Sequence, residues 1–423
     1  MAAGTAGASA PLGDQAARRA RPNRKPKMQL WQRPAQQSGT GHDGHVDAPP
    51  TPPEQAPAAN GRPAARIRRG REVYAAIDLG TNNCRLLVAR RTRDGFRVVD
   101  AFSRVVRLGE GVRSSGALSE EAMDRAVDAL ENCVEKMSRR GVTRSWSIAT
   151  EACRIAENGD VFRDRVRART GLELDIISTE REASLALQGC KPLIEPWADY
   201  ALVFDIGGGS TELIWVDCRG ETPELADWVS LPSGVVTLTE ALEGHDPGAV
   251  DYHHMLDVVR GQLADFAKRH GLKENHAEAK IQLLGTSGTV TTLAGIHLKL
   301  PRYDRRAVDG SWIPSPALLE ISHRLAALDY DGRVAEPCIG EERADLVVAG
   351  CAIMEAIMIE WPTLRVRVAD RGLREGMLLQ LMAEAQRERR KKRRRRGGGG
   401  RGRRGGNNKQ SQNINAEAAE GTS

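Results

Sequence analysis

Two stretches of this chain, VYAAIDLGTNNCRLLVAR (73–90) and ALVFDIGGGSTELIWVD (201–217), follow one pattern. Each has an apolar, β-prone run, then an aspartate (Asp78 or Asp205), an aliphatic residue, a glycine and three small or polar residues. After one more residue comes a charged one, Arg85 or Glu212, and the apolar run resumes. Glycine within a strand gives up side-chain packing and costs conformational entropy, so its use there calls for a close backbone approach. A matched pair at domain-sized separation predicts two related halves, each opening on a β-hairpin whose turn exposes amides.

Strands alternate with helices between and after the hairpins. SEEAMDRAVDALENCVEKMSRRG predicts a helix capped by Ser119 and stopped at Gly141, with apolar residues at helical spacing. SWSIAT and LELDIIS read as strands and REASLALQGC as a helix. IQLLGTSGTVTTLAG reads as strand, Gly loop, helix, and SPALLEISHRLAALD as a helix with Ser315 as cap. ERADLVVAGCAIMEAIMIEW is a buried helix ended by Pro362. Hairpins leading into such alternation predict an α/β unit built twice.

The chain's ends have a different composition. Residues 1–71 form a basic, Pro/Ala-rich arm and residues 384–423 an Arg/Gly-rich basic tail. Neither carries enough apolar surface to offset the entropy of ordering, which predicts disorder. The two ends hold net charges of +8 and +9, so residues 72–383 carry −11 within a total of +6. The basic pI thus describes the ends, which suit nonspecific contacts with polyanions such as RNA. Seven scattered cysteines without a CxxC pair predict reduced thiols, and no apolar run is long enough for a bilayer. A soluble, cytoplasmic protein without a membrane partner is the expectation.

Three loops supply converging amides and short polar side chains: DLGTNN (Gly80, Thr81, Asn82, Asn83), DIGGGST (Gly207, Gly208, Gly209, Ser210, Thr211) and LGTSGT (Gly285, Ser287, Gly288, Thr289). Such groups cradle phosphate. Neither GxxxxGK[ST] nor a helix-opening GxGxxG is present, so two facing hairpin turns are the implied geometry. Carboxylates beside phosphate repel it unless a cation lies between them. Asp205 and Glu212, with Asp78 in the matching place of the first loop, therefore suggest Mg²⁺ that keeps several waters.

AAIDLGTNNCRLLV, ATEACRIAENG, DIISTEREASLAL, FDIGGGSTEL, LPSGVVTLTE, LGTSGTVTTLAG, ERADLVVAG and GLREGML occur in this order. On these stretches the chain from about Val73 to Met382 resembles the Ppx/GppA phosphatases, the exopolyphosphatases and guanosine pentaphosphate phosphohydrolases. The resemblance implies an actin-like ATPase fold, with two ribonuclease-H-like domains flanking a cleft. Domain I (72–198) would hold the first phosphate loop and the catalytic glutamate. Domain II (199–383) would hold the other loops, with its last helix packed back on domain I. Within DIISTEREASLAL the resemblance places the general base on Glu182, with Glu180 as the alternative in a shifted register. It places Arg154 and Asn158 on the penultimate phosphates, and Arg85 either there or on a carboxylate across the cleft.

The implied reaction is Mg²⁺-dependent exopolyphosphatase hydrolysis of a terminal phosphate by Glu-activated water. The alternative is 5′-phosphohydrolysis of pppGpp. A noncatalytic polyphosphate- or RNA-binding protein and an actin-like ATP binder remain as competing readings. An accessory monovalent cation such as K⁺ and a homodimer are family-level expectations. Three departures stand out: Asn83 where many members have a hydroxyl residue, Glu151 where a small or hydroxyl residue is common, and no helical HD-like extension after Met382.

Overall fold

The computed structural model describes residues 72–397, apart from 94, 243–244 and 272–277. The arm 1–71 and the end of the tail, 398–423, lie outside the described residues.

The repeat appears as two sheets of matching topology. In lobe I, β1 (Val73–Leu79), β2 (Asn83–Arg91), β3 (Phe96–Val105), β4 (Arg144–Ala149) and β5 (Leu174–Ile176) lie in the order β3-β2-β1-β4-β5. In lobe II, β6 (Tyr200–Ile206), β7 (Thr211–Asp217), β8 (Glu224–Leu231), β9 (Ile281–Thr286), β10 (Trp312–Pro314) and β11 (Arg365–Ala369) lie in the order β10-β11-β9-β6-β7-β8. Each lobe begins with an antiparallel meander, and its first strand then pairs in parallel with the strand after a crossover helix. This is the actin-like ATPase architecture.

Local signals set the helices where tertiary demands agree with them. The helix Glu120–Arg140 starts at Ser119, whose hydroxyl accepts from Ala122 N at 3.2 Å, and ends at Gly141 in the left-handed region (φ 63°). Its buried face includes Met123, Val127, Leu130 and Cys133. Ser315 does not cap its helix. Pro314 holds that position, and the Ser315 hydroxyl donates instead to Thr363 O at 2.6 Å.

Two helices exchange lobes. The helix Thr179–Cys190 follows β5 but buries Ala183, Ala186 and Leu187 against Val203, Ile214 and Leu284 of the second sheet. The last helix, Leu373–Gly397, follows β11 but packs Met377, Leu378 and Met382 on Tyr74, Ala76 and Leu87 of the first. Where the two helices cross, a Cβ on Gly189 would lie 2.0 Å from Gly372 O, and one on Gly376 2.0 Å from Leu185 O. Only glycine permits that approach.

The last helix also corrects the tail boundary. Residues 384–397, assigned by composition to a disordered tail, continue it. Ala385 is buried, Arg389 pairs with Glu72 at 2.7 Å and Arg144 with Glu388 at 2.7 Å. Arginine and lysine are good helix formers, so charge does not end a helix that earlier turns anchor. Among the described residues no helix is long and apolar enough to cross a membrane, and all seven cysteines are free.

Candidate active site

The turns at the ends of β1/β2 and β6/β7 meet at a cleft of about 680 Å³. Both turns close with the same hydrogen bond: Gly80 N donates to Asn83 O, and Gly207 N to Ser210 O, each at 2.9 Å. In both, the segment that follows the last strand of the meander supports the turn from behind. Thr81 O accepts from Gly109 N, and Asn82 O from Val106 N and Arg107 N. Gly207 O accepts from Val235 N and Gly208 O from Val236 N. In a trans peptide the carbonyl and the following N–H point in opposite directions. Pinning the carbonyls behind the turn therefore turns the N–H groups of Asn82, Gly208 and Gly209 forward. The turns touch each other, since a Cβ on Gly208 would lie 3.1 Å from Asn82 N and Thr81 Cβ.

The third stretch expected as a Gly loop, LGTSGT, is a strand–helix junction and not a loop. The helix Ser287–His297 starts directly after β9, with Ser287 at φ 81° and its hydroxyl donating to Ile206 O at 2.7 Å. A side-chain-bearing residue held at positive φ beside a cleft marks strain kept for a purpose. Ser287, Gly288 and Thr289 of the first helical turn line the cleft, a position suited to anions.

The carboxylates that line this space include Asp78, Asp205, Glu212 and Glu182. Asp205 and Glu212 are direct cross-strand partners, whereas Asp78 faces Arg85. Burial pushes Asp205 up to about 6, against the pull of Arg85. Burial and the neighbouring Asp205 charge push Glu212 up to about 7, although Ser210 and Ser230 donate to its Oε1 at 2.6 and 3.0 Å. Burial also raises Asp78. Glu182 stands in the first turn of the helix Thr179–Cys190, where burial and the charge of Glu212 hold its carboxyl well above the ordinary range. Arg154 opposes that rise, donating to Glu182 Oε2 at 3.3 Å and to Ile177 O at 2.8 Å. Glu180, the alternative base, is exposed and does not line the cleft.

Three arginines balance these acids from within the cleft. Arg85, Arg343 and Arg374 line it and form no ion pair among the described residues, whereas Arg305 and Arg371 are paired with Glu375 and Asp309. Burial and the charge of Arg374 lower the Arg85 guanidinium. Arg343 and Arg374 escaped the sequence reading, although each lies in a quoted stretch. Arg374 sits in the first turn of the last helix, where the helix dipole disfavours a cation. That misplacement was a readable signal of an anionic partner.

The remaining expected residues lie elsewhere. Asn158 is used by the backbone: its Oδ1 accepts from Leu118 N at 2.8 Å and its Nδ2 donates to Leu118 O at 2.9 Å. Thr211 is fully buried and donates to Ser233 O at 2.7 Å. Gly285 lies inside β9, where a Cβ would strike the Phe204 ring at 2.5 Å. None of these three lines the cleft, and Arg154 holds Glu182 from just outside it. Thr81, Asn82, Asn83, Gly207 and Ser210 do line it.

The donor set fits a hard cation bound by one or two carboxylates with its remaining positions filled by water. Asp205 and Glu212 oppose each other without an intervening positive side chain, and the buried oxygens Asn82 Oδ1 and Asn83 Oδ1 have no protein partner. Among the described residues no three His, Cys, Asp or Glu side chains form a ready-made cage. Mg²⁺, which retains several waters, suits that sparse set.

The sequence profile of the Ppx/GppA phosphatase family matches residues 87–385. Exopolyphosphatase 2 of Mycobacterium tuberculosis is 30% identical over 324 residues, covering 73% of this chain and 98% of that protein. The guanosine-5′-triphosphate,3′-diphosphate pyrophosphatase of Photobacterium profundum is 29% identical over 325 residues, 74% of this chain but 60% of that longer protein. Among solved structures, an exopolyphosphatase from Cytophaga hutchinsonii superposes with a TM-score of 0.67 at 26% identity, covering 74% of this chain and 98% of that one. The Aquifex aeolicus member of the Ppx/GppA family gives 0.62 at 25% identity, covering 74% and 98%. Two hairpin turns meeting at a cleft lined by buried acids and arginines thus coincide with sequence and fold similarity, and the chain belongs to the Ppx/GppA phosphatase family.

Proposed function

We propose that the chain is a phosphoric anhydride hydrolase that removes the terminal phosphate of inorganic polyphosphate, with water as nucleophile and magnesium as cofactor. The observation that carries this reading is one cleft lined both by the buried carboxylates Asp78, Asp205, Glu212 and Glu182 and by Arg85, Arg343 and Arg374, which form no ion pair among the described residues.

Phosphoryl transfer to water needs positioning and charge neutralisation more than covalent help. The amides of the two hairpin turns and of the Ser287–His297 helix bind nonbridging oxygens, and the arginines neutralise the phosphates behind the one attacked. Glu182 takes the proton of the attacking water as its oxygen bonds to phosphorus. The bridging P–O bond breaks, and the shortened chain leaves with the electron pair. A carboxylate raised by burial and by Glu212 is a better proton acceptor than an ordinary one once ionised. Asp205 and Glu212 would hold Mg²⁺, which supplies positive charge on the phosphoryl oxygens when bound. Arg154 orients Glu182.

One feature favours pppGpp as a second substrate. Tyr303, Ile339, Leu346 and Val347 line the lobe II end of the same cleft beside Arg343, giving an apolar surface that a nucleoside can occupy. Polyphosphate has no use for such a surface.

The deciding measurement compares kcat/KM for long-chain polyphosphate, tripolyphosphate and pppGpp with magnesium present. Preference for polyphosphate supports the first reading, and preference for pppGpp moves the assignment to the second. Cleavage of none of them overturns both. Glu182→Ala should lower kcat by roughly 10²–10⁴, the scale for losing a general base, while tripolyphosphate still binds. An active Glu182→Ala enzyme removes the base assignment.

A further inference from the structure

In the second hairpin turn, three successive carbonyls are held away from the cleft, and the holders differ in origin. Gly207 O and Gly208 O are held by Val235 N and Val236 N of the same lobe. Gly209 O is held by Arg113 Nη2 of lobe I at 3.2 Å, with the Thr237 hydroxyl more distant at 3.4 Å. Arg113 is itself clamped by Glu151, whose Oε1 accepts from the same Nη2 at 2.6 Å. The other Glu151 oxygen accepts from Thr81 Oγ1 at 3.4 Å and lies so close to Gly209 that a Cβ there would be 1.5 Å from it. Glu151 is buried, with 8% of its side chain accessible, so the clamp is sealed from solvent on that side.

The segment that carries Arg113 already supports the first turn through Val106, Arg107 and Gly109. It is anchored to lobe II by Arg107–Asp345 at 3.0 Å and by Gly111 N donating to Glu240 Oε1 at 2.9 Å. One lobe I segment therefore shapes both turns.

We propose that Arg113, fixed by Glu151, is a positioning residue for phosphate binding: by holding Gly209 O outward it aims the N–H of Ser210, on the same peptide plane, into the cleft. The inference rests on reading these turns as a phosphate cradle and adds that the cradle's third amide is set from the opposite lobe. Ser210 N donates to no protein acceptor among the described hydrogen bonds, while its carbonyl and hydroxyl are engaged with Gly207 N and Glu212. The otherwise puzzling carboxylate at 151 gains a physical account. It keeps Arg113 on a carbonyl and off the substrate, and its negative charge is spent on that guanidinium.

The test uses the full chain carrying Glu182→Gln, with magnesium and tripolyphosphate, read by calorimetry and by selective ¹⁵N-serine labelling. In this parent, tripolyphosphate should shift the Ser210 amide resonance downfield. Arg113→Met should weaken binding about ten- to a hundredfold, the worth of one hydrogen bond to a charged group, and abolish the Ser210 shift. Arg113→Lys, which keeps a donor, should restore most of both. A purely structural role would lower the melting temperature without that selective spectral loss. If Arg113→Met does not fold, Glu151→Gln, which loosens the clamp alone, should give a smaller loss in the same direction.

Arg113→Met binding as tightly as the parent, or a Ser210 resonance indifferent to tripolyphosphate in the parent, overturns the proposal. A chain with Glu182 intact that binds tripolyphosphate yet cleaves neither it, long-chain polyphosphate nor pppGpp would instead overturn the hydrolase reading and leave the role of Arg113 standing.

Discussion

The two hairpins share a backbone and differ in charge. Both close through a glycine N–H onto a carbonyl three residues on, and both have that turn's oxygens pinned from behind. At the cross-strand pair beneath the turn the first hairpin sets Asp78 against Arg85, and the second sets Asp205 against Glu212. Opposite charges across a strand pair stabilise modestly and like charges cost a similar amount. The first hairpin thus carries its own counter-charge across the strand pair. The second is complete only with a proton or a cation. A duplicated fold can keep one turn backbone and, by changing a single cross-strand position, convert a balanced pair into a paired acid suited to the proposed cation.

The widest effect expected from that asymmetry is catalytic. Glu212→Gln should lower kcat by about 10²–10³, the range in which loss of several kcal/mol of metal-borne charge stabilisation falls. Without metal it should leave the protein as stable as before or more so at pH 8, because a like-charge pair is gone. Arg85→Gln should do the reverse in stability, costing about 1 kcal/mol as Asp78 loses its cross-strand partner. Urea denaturation in chelator with steady-state kinetics checks both. Equal stability changes in the two variants would mean that the hairpins do not differ as described.

That contrast was half legible in the sequence. The paired hairpins, the alternation of strands and helices, and the Ser119 and Gly141 caps are local signals, and each reads from a few neighbouring residues. Positions in the turns were legible for the same reason. What failed was any residue whose role depends on a distant partner. Asn158 and Thr211 look available beside their motifs, yet Leu118 and Ser233 consume them. Gly285 resembles the other loop glycines but exists to clear Phe204. Arg343 and Arg374 reach the cleft from late in the chain, and Glu151 makes sense only once Arg113 and Gly209 are beside it.

A smaller effect concerns pH. Asp205 and Glu212 are raised in the folded protein to about 6 and about 7 from ordinary values of 3.8 and 4.5. A carboxyl raised on folding contributes stability that is fully present below its unfolded value and lost as pH rises through its folded one. Metal-free protein should therefore lose stability between about pH 4 and 7 beyond what other groups cause, and Glu212→Gln should remove much of that loss. Magnesium, which favours the ionised pair, should raise the melting temperature more at pH 8 than at pH 5. A magnesium shift that is the same at both pH values, or unchanged in Glu212→Gln, would contradict a cation site on the second hairpin.

The finest distinction lies in the glycines that open the two turns. A Cβ on Gly80 would meet Asn83 O at 3.5 Å, an ordinary contact, whereas one on Gly207 would meet Ser210 O at 2.8 Å. Neither glycine has a positive φ, so space and not backbone conformation decides the outcome. Gly80→Ala should leave kcat/KM within about twofold of the parent, the effect of a shift well under 1 kcal/mol. Gly207→Ala must displace the Ser210 carbonyl, and with it the turn that Arg113 and Val235 hold in place, so its kcat/KM should fall further than that of Gly80→Ala. Steady-state kinetics on tripolyphosphate separates the two. If both alanines are tolerated alike, the second turn is looser than its contacts imply, and charge alone distinguishes it from the first.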